Sequence, residues 1–370
     1  MHLYLHVPYC AAKCPYCDFN SIAGRDEEHS AYVDALLSEV RRLPRGPYAT
    51  IFIGGGTPTL LSAPLLGRLL AGVREHIALA PGYEWTCEAN PGSADAEKFR
   101  LLAEHGVNRL SLGVQSTHAH HLKFLGRVHD AAQADAALEL ATAAVPRVSA
   151  DLIMGLPEQT LEELKADLAL YRRHGLRHAS VYHLTYEPGT EFHARRARGE
   201  LADIDAERSR EYFNALWDGL AGLGLEMYET SNFAVPGEES RHNLAYWRQR
   251  DYQAAGAGAV STLSGVRITR EKHSGRYIQA ITTGTAAAWK TETIGHGEQL
   301  SEAWMLGLRL VEGVSIARLT ALGDPESRWR PRYEALAGVG LLDEHDGHIR
   351  LTRQGRPVQD EVTVYLLPDG

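Results

Sequence analysis

Cysteine and methionine are scarce in this chain of 370 residues, at four each. Four thiols are too few for the dense cross-links of a secreted disulfide scaffold of this length. No stretch approaches the roughly 18 uninterrupted apolar residues of a membrane helix. The opening Met1-His2-Leu3-Tyr4-Leu5-His6 carries neither a basic region nor a long apolar segment, so no signal peptide is expected and the reading is cytoplasmic. Positive charge is not in surplus either. With 38 Lys and Arg against 47 Asp and Glu the net charge is −9, which argues against nucleic acid as the main partner. Low-complexity segments and internal repeats are missing, apart from a strand–helix alternation. What is present is ordinary for a globular protein, with 44% hydrophobic and 23% charged residues. The length allows one large domain and one or two small ones, at roughly 150 residues per domain.

The alternation begins at once. Strands are expected at Leu3–Val7, Ala49–Ile53, Tyr83–Asn90, Asn108–Gln115, Arg147–Met154 and Ala179–Tyr186. Helices are expected between them: Glu28–Leu43, a helix capped by Ser62 and running to about Leu79, Asp95–His105, Asp130–Ala144 and Thr160–His174. Thr160 with Glu163 three residues on forms a capping-box pattern. Six such units predict a parallel sheet with right-handed crossovers, either doubly wound or a partly closed (βα)₆ barrel. After residue 187 the pattern breaks. A helix Ala206–Leu223 and a strand Glu226–Glu229 are expected, then an irregular stretch containing Pro236, Gly237 and Gly256-Ala257-Gly258-Ala259. The tail reads as a small winged-helix unit with helices Ile316–Leu322 and Arg328–Val339 and a hairpin around Asp346-Gly347. Seven Arg balance seven Asp and Glu within Glu312–Arg356, which does not suit phosphate binding and favours a packing or docking module. The expected division is 1–187 for the α/β barrel core, 188–297 for an α+β extension, and 298–370 for the tail.

The strongest local signal is Cys10-Ala11-Ala12-Lys13-Cys14-Pro15-Tyr16-Cys17. Three thiolates this close can surround one inorganic centre. A closed zinc site or a fully ligated iron–sulfur cluster needs a fourth protein ligand, which His6 or Cys87 could supply. Without one, a [4Fe–4S] cluster would keep an iron open for a ligand. The motif follows the first strand, on the face where βα folds place their active sites. Cys87 is otherwise read as a buried free thiol.

CxxxCxxC with an aromatic residue, Tyr16, before the last cysteine resembles the signature of the radical S-adenosylmethionine superfamily. That resemblance implies a partial (βα)₆ barrel. It also implies a cluster on Cys10, Cys14 and Cys17 whose open iron binds S-adenosylmethionine, reductively cleaved to a radical. Gly54-Gly55-Gly56-Thr57-Pro58-Thr59 closes the second strand, either as a tight turn or as a place where a ligand nears the backbone. The family uses this segment, here Gly55, Gly56 and Thr57, for the methionyl amino group. Glu88, Gln115 and Asp151 stand near the ends of three successive strands, as solvated strand ends or as a ligand cradle. The resemblance makes them, with Arg127, Tyr16 and Tyr4, part of the S-adenosylmethionine site.

Further motifs narrow the likeness. Tyr4-Leu5-His6-Val7-Pro8-Tyr9-Cys10, Glu88-Ala89-Asn90-Pro91, Asp151-Leu152-Ile153-Met154-Gly155-Leu156-Pro157 and Tyr228-Glu229-Thr230-Ser231 resemble a group with two kinds of member. One is the oxygen-independent coproporphyrinogen III oxidase (HemN); the other is the heme chaperone HemW. The oxidase type resembles CxxxCxxCxC with a long N-terminal extension. Phe19 and only nine residues before Cys10 are similar to the chaperone type. His242-Asn243-Leu244-Ala245-Tyr246-Trp247 is similar to that type's HNxxYW motif, which implies heme contacts by His242, Asn243, Tyr246 and Trp247. From chemistry alone, a neutral imidazole can ligate heme iron and two aromatics can stack on a macrocycle, or the same residues form a packed cap. The implied cofactors are a [4Fe–4S] cluster and S-adenosylmethionine, with heme as cargo. The implied partners are heme or porphyrin, a flavodoxin- or ferredoxin-type electron donor, and heme-acceptor proteins. The alternatives are the oxidase itself and a related radical methyltransferase. No side chain is assigned a catalytic role.

Overall fold

A computed structural model describes residues 1–285 and 289–367; three residues of the expected extension and the last three of the expected tail lie outside the described residues. Six parallel strands build the core: β1 (His2–Val7), β2 (Tyr48–Gly55), β3 (Leu79–Ala89), β4 (Arg109–Gln115), β5 (Arg147–Met154) and β6 (His178–His183). They neighbour one another in chain order, with Leu5 beside Ile53, Ile53 beside Cys87 and Cys87 beside Leu110. This is the partial barrel, an α/β fold. Side-chain parity follows from the two-residue strand repeat. Trp85, Cys87, Leu110 and Leu112 point outward and are buried in the main apolar core. Thr50, Glu84, Thr86, Arg109 and Ser149 alternate with them and are buried in a polar lumen.

The crossover helices start where their caps dictate. Asp95 accepts from the Lys98 backbone N–H, and Asp130 with Gln133 and Thr160 with Glu163 both form complete capping boxes. Ser62 is the exception to expectation. It stands at the N-cap of helix Ala63–His76 but makes no side-chain bond there, and Pro64, which has no N–H to satisfy, occupies the first turn.

The sheet does not stop at six strands. Asn232–Ala234 and Glu226–Glu229 extend it antiparallel beyond β6. Beyond β1, Tyr252–Ala255 pairs parallel, followed by Val260–Leu263, Val266–Thr269 and Lys290–Thr293 in antiparallel order. The stretch expected to be irregular therefore contains helix Arg241–Trp247 and strands that continue the barrel sheet. Their sequence hides them: Ala254 and Ala255 are fully buried small residues leading into Gly256, which reads as a turn.

The tail packs around its own core of Trp304, Trp329, Leu319, Ile349 and Val362. Val314–Ser315, Leu342–His345 and His348–Leu351 form a three-stranded sheet. Asp346 and Gly347 take φ of 47° and 73°, the paired left-handed conformation of a two-residue hairpin turn. Buried Arg356 fastens this unit by donating to the carbonyls of Leu308, Arg309 and Leu310.

Candidate functional site

The carboxyl ends of the strands open into a cavity of about 720 Å³. Cys10, Cys14, Tyr16, Cys17, Gly55, Gly56, Glu88, Gln115, Arg127 and Asp151 border it. The three cysteines are half-buried and free of disulfides. Cys10 Sγ is 3.7 Å from Thr57 Oγ1, Cys17 Sγ is 4.0 Å from Ser21 Oγ, and Arg127 Nη1 donates to Cys14 Sγ at 3.6 Å. Burial sets the Cys10 thiol above its ordinary pKa, with the Cys17 and Cys14 thiols adding to the rise and the Thr57 and Ser21 hydroxyls opposing it. Cys87 is buried on the outer face of β3 and is remote from this group in parity, as a core thiol.

The loop carrying the thiols is held from below. His6 Nε2 donates to the Asn20 carbonyl at 2.8 Å, so its Nδ1 accepts from the Tyr4 hydroxyl at 2.9 Å. Tyr4 thus lies beneath the cavity and acts through His6. The glycines after β2 have an internal reason as well. A Cβ on Gly55 would come within 2.2 Å of the His6 ring, and one on Gly56 within 2.6 Å of the Pro8 backbone. Thr57 is buried beside Cys10 and accepts from Asn90 Nδ2 at 2.7 Å.

Charge at the mouth is poorly compensated. Glu88 accepts from the Gly55 N–H at 2.9 Å, yet burial, with Asp151 adding to it, lifts its carboxyl to about 7. Asp151 accepts from Ser111 Oγ at 2.9 Å and is lifted by burial to about 6. Arg127 Nη2 reaches Asn90 Oδ1 at 2.5 Å and the Gly113 carbonyl at 2.8 Å, while its Nε is buried without a hydrogen-bond partner among the described residues. Gln115 sits at φ 70° where the β4–β5 register shifts, a left-handed conformation that costs a side-chain-bearing residue energy. A ligand with a cationic amino group and hydroxyls would restore charge to these carboxyls. Three free thiols, an orphaned guanidinium nitrogen and a cavity of ordinary ligand size fit a cluster with a zwitterionic nucleoside ligand.

The HNxxYW residues lie elsewhere. Helix Arg241–Trp247 plugs the lumen from its lower end, where Glu84 Oε1 accepts from the His242 N–H at 3.0 Å. His242 is fully buried. Its Nδ1 is 2.7 Å from Thr50 Oγ1 and its Nε2 2.8 Å from the Tyr246 hydroxyl. Burial pushes the imidazole down to about 3, so it is neutral. Thr50 is five residues before Gly55, roughly 16 Å below the mouth at about 3.3 Å per residue. Both ring nitrogens are engaged, so a bond to iron requires one contact to give way. Asn243 is half-buried. Trp247 meets a residue of the mouth: the Arg309 guanidinium, which borders the cavity, lies 4.4 Å above its ring.

Sequence reading did not single out Asn90, which joins Thr57 to Arg127, nor Ser111, which holds Asp151. Both share the inward face with Glu88 or Gln115, and that parity is the signal that could have found them. Arg309 and Arg356 reach the mouth from the tail and carry no local motif.

The radical SAM superfamily pattern matches residues 4–171 and the HemN C-terminal domain pattern matches residues 295–358. The chain is 38% identical to the protein named heme chaperone HemW of Escherichia coli strain K12, over 96% of this chain and 95% of that one. It is 35% identical to the heme chaperone HemW of Lactococcus lactis, over 92% and 88%. Among solved structures, coproporphyrinogen III oxidase (HemN) from Escherichia coli superposes with a TM-score of 0.82 at 22% identity, covering 99% of this chain and 89% of that one, a likeness of fold.

Proposed function

The chain belongs to the radical SAM superfamily and, within it, to the HemW family; from that membership we propose that it is a heme chaperone that binds heme and passes it to an acceptor protein in the cytoplasm or at a membrane face. In this reading Cys10, Cys14 and Cys17 hold a [4Fe–4S] cluster. Glu88, Gln115, Arg127 and Asp151, with Gly55, Gly56, Thr57 and Tyr16, hold S-adenosylmethionine, and Tyr4 orients His6 beneath them. When bound, the cluster and S-adenosylmethionine supply one-electron reductive chemistry, fed by a flavodoxin- or ferredoxin-type donor. The chain's own contribution is placement. Arg127 ties the Cys14 loop to Asn90 and to the β4 backbone. Glu88 and Asp151 offer carboxyls whose charge returns when a cationic group enters.

Heme is assigned to His242, Asn243, Tyr246 and Trp247. Ligation by His242 requires Tyr246 to release Nε2. The Trp247–Arg309 stack supports an entry from the cavity side, since a guanidinium there can pair with a propionate.

The observation that carries the reading is the near-full-length likeness to relatives named heme chaperone HemW, together with Phe19 in place of a fourth cysteine. The oxidase is the second reading, favoured by the shared fold. One anaerobic experiment separates them. Protein reconstituted with cluster is incubated with coproporphyrinogen III, S-adenosylmethionine and a reductant, and in parallel titrated with heme. The expected result is a saturable heme spectrum and unchanged coproporphyrinogen. Formation of protoporphyrinogen would overturn the chaperone in favour of the oxidase.

A further inference from the structure

A second group of metal-binding side chains lies away from the cysteines. His120 and His121 stand on helix Ala119–Phe124, and Glu163 is the third residue of helix Leu161–Arg173. One ligand atom from each lies within 4.8 Å of the others. His120 Nε2 is 3.2 Å from Glu163 Oε1, and His121 Nε2 is 3.5 Å from Oε2. The two imidazole centroids are 3.9 Å apart.

Two further observations point to a ligand. The His121 side chain is 2% exposed, and among the described residues its buried Nε2 makes no well-formed hydrogen bond, only the 3.5 Å contact to Glu163 Oε2. A buried imidazole nitrogen left in that state wants an electrophile, and a metal ion is a common one. Glu163, meanwhile, has its capping duty on one oxygen: Oε2 accepts from the Thr160 N–H at 2.8 Å and hydroxyl at 3.0 Å, which leaves Oε1 facing His120. The Thr160 backbone bond, above all, holds the Glu163 carboxyl down at about 2, and burial keeps His121 below its ordinary value. The His120 side chain is 61% exposed, so an ion can enter from solvent. His118 is engaged elsewhere, with Nε2 donating to the Glu163 carbonyl at 3.2 Å.

We propose that His120, His121 and Glu163 bind a divalent transition-metal ion of the zinc class, with water completing its coordination. Two imidazoles and a carboxylate favour such an ion over magnesium or calcium, which take oxygen donors. The ion ties helix Ala119–Phe124 to helix Leu161–Arg173. The first of these leads through Gly126 into Arg127, whose guanidinium contacts Cys14, so the site braces one wall of the mouth. The proposal does not rest on the heme-chaperone reading.

The test uses tag-free, full-length protein with its cluster reconstituted anaerobically, titrated with Co²⁺. The expected difference spectrum shows visible d–d bands from one ion per chain, without the thiolate-to-cobalt charge-transfer band that the cysteines would give. His120→Ala, at an exposed position, should lose the bands. Glu163→Gln, which keeps a capping-box residue at that place, should lose them as well. No binding by the wild type, a thiolate band, or bands that survive both substitutions would show a His–Glu ion pair only and overturn the site.

Discussion

The two ends of the barrel lumen are built from similar residue types and treated oppositely. At the lower end, Glu84 is fully buried and takes Arg147 at 3.0 Å and the N–H groups of Arg241 and His242. His178 is held between Ser149 and Tyr228, both at 2.8 Å. At the mouth, Arg127 keeps an orphaned nitrogen, Gln115 holds a strained backbone, and Glu88 and Asp151 are pushed toward neutrality. A closed polar network rigidifies; an incomplete one waits for a ligand. The contrast fits a lower end that maintains the fold and, under the proposed function, an upper end that takes a ligand.

The largest effect that could break this contrast is at the cysteines. Cys10→Ala, Cys14→Ala or Cys17→Ala should each abolish the visible cluster absorbance after anaerobic reconstitution. Full absorbance in all three would leave the mouth without its inorganic occupant. Next comes Glu84→Ala, which strips a buried partner from Arg147 and two backbone donors. Urea unfolding should show a loss of about 3 kcal/mol, and a loss near zero would mean the lower network is not structural.

The pH dependence sharpens the comparison, because the two ends have opposite signs. His242 titrates at about 3 when folded and at 6.5 ordinarily. Between those values the unfolded chain binds a proton that the folded chain refuses, so stability falls as pH falls. Glu88 is raised from 4.5 to about 7. Between those values the folded chain keeps a proton that the unfolded chain has lost, so stability falls as pH rises, at up to about 1.4 kcal/mol per pH unit. Glu88→Gln should therefore make ligand-free stability climb more steeply with pH across this window. Denaturant midpoints at several pH values would show it, and an unchanged slope would remove Glu88 as a raised acid. The smallest effect is Gln115→Gly. Relief of the left-handed backbone should raise stability by about 1 kcal/mol while weakening S-adenosylmethionine binding, read by melting and by calorimetry. A fall in stability would mean the strain is absent.

The barrel was legible because its signals are local. Parity in β3 sorts Trp85 and Cys87 outward and Glu84 and Glu88 inward, and Thr160 with Glu163 announces a helix start that the structure reproduces. The second half was less legible because its strands are defined by partners. Tyr252–Ala255 is a strand only by lying beside β1, and Val266–Thr269 is half-buried throughout, with no alternation to read. The environment of His242 was hidden for the same reason: Thr50 and Glu84, which occupy it, are more than 150 residues away in sequence.

The bond from Asn20 to the distant sheet has a biosynthetic consequence. Asn20 Nδ2 donates to the carbonyls of Ala257 and Lys272, at 2.9 and 3.0 Å, while its own carbonyl holds His6. Those two acceptors are made some 237 and 252 residues later. A ribosome delivers the thiols among the first residues and the clasp that fixes their loop only after two thirds of the chain. The loop that carries the thiols therefore gains its full set of bonds only once residue 272 has been made.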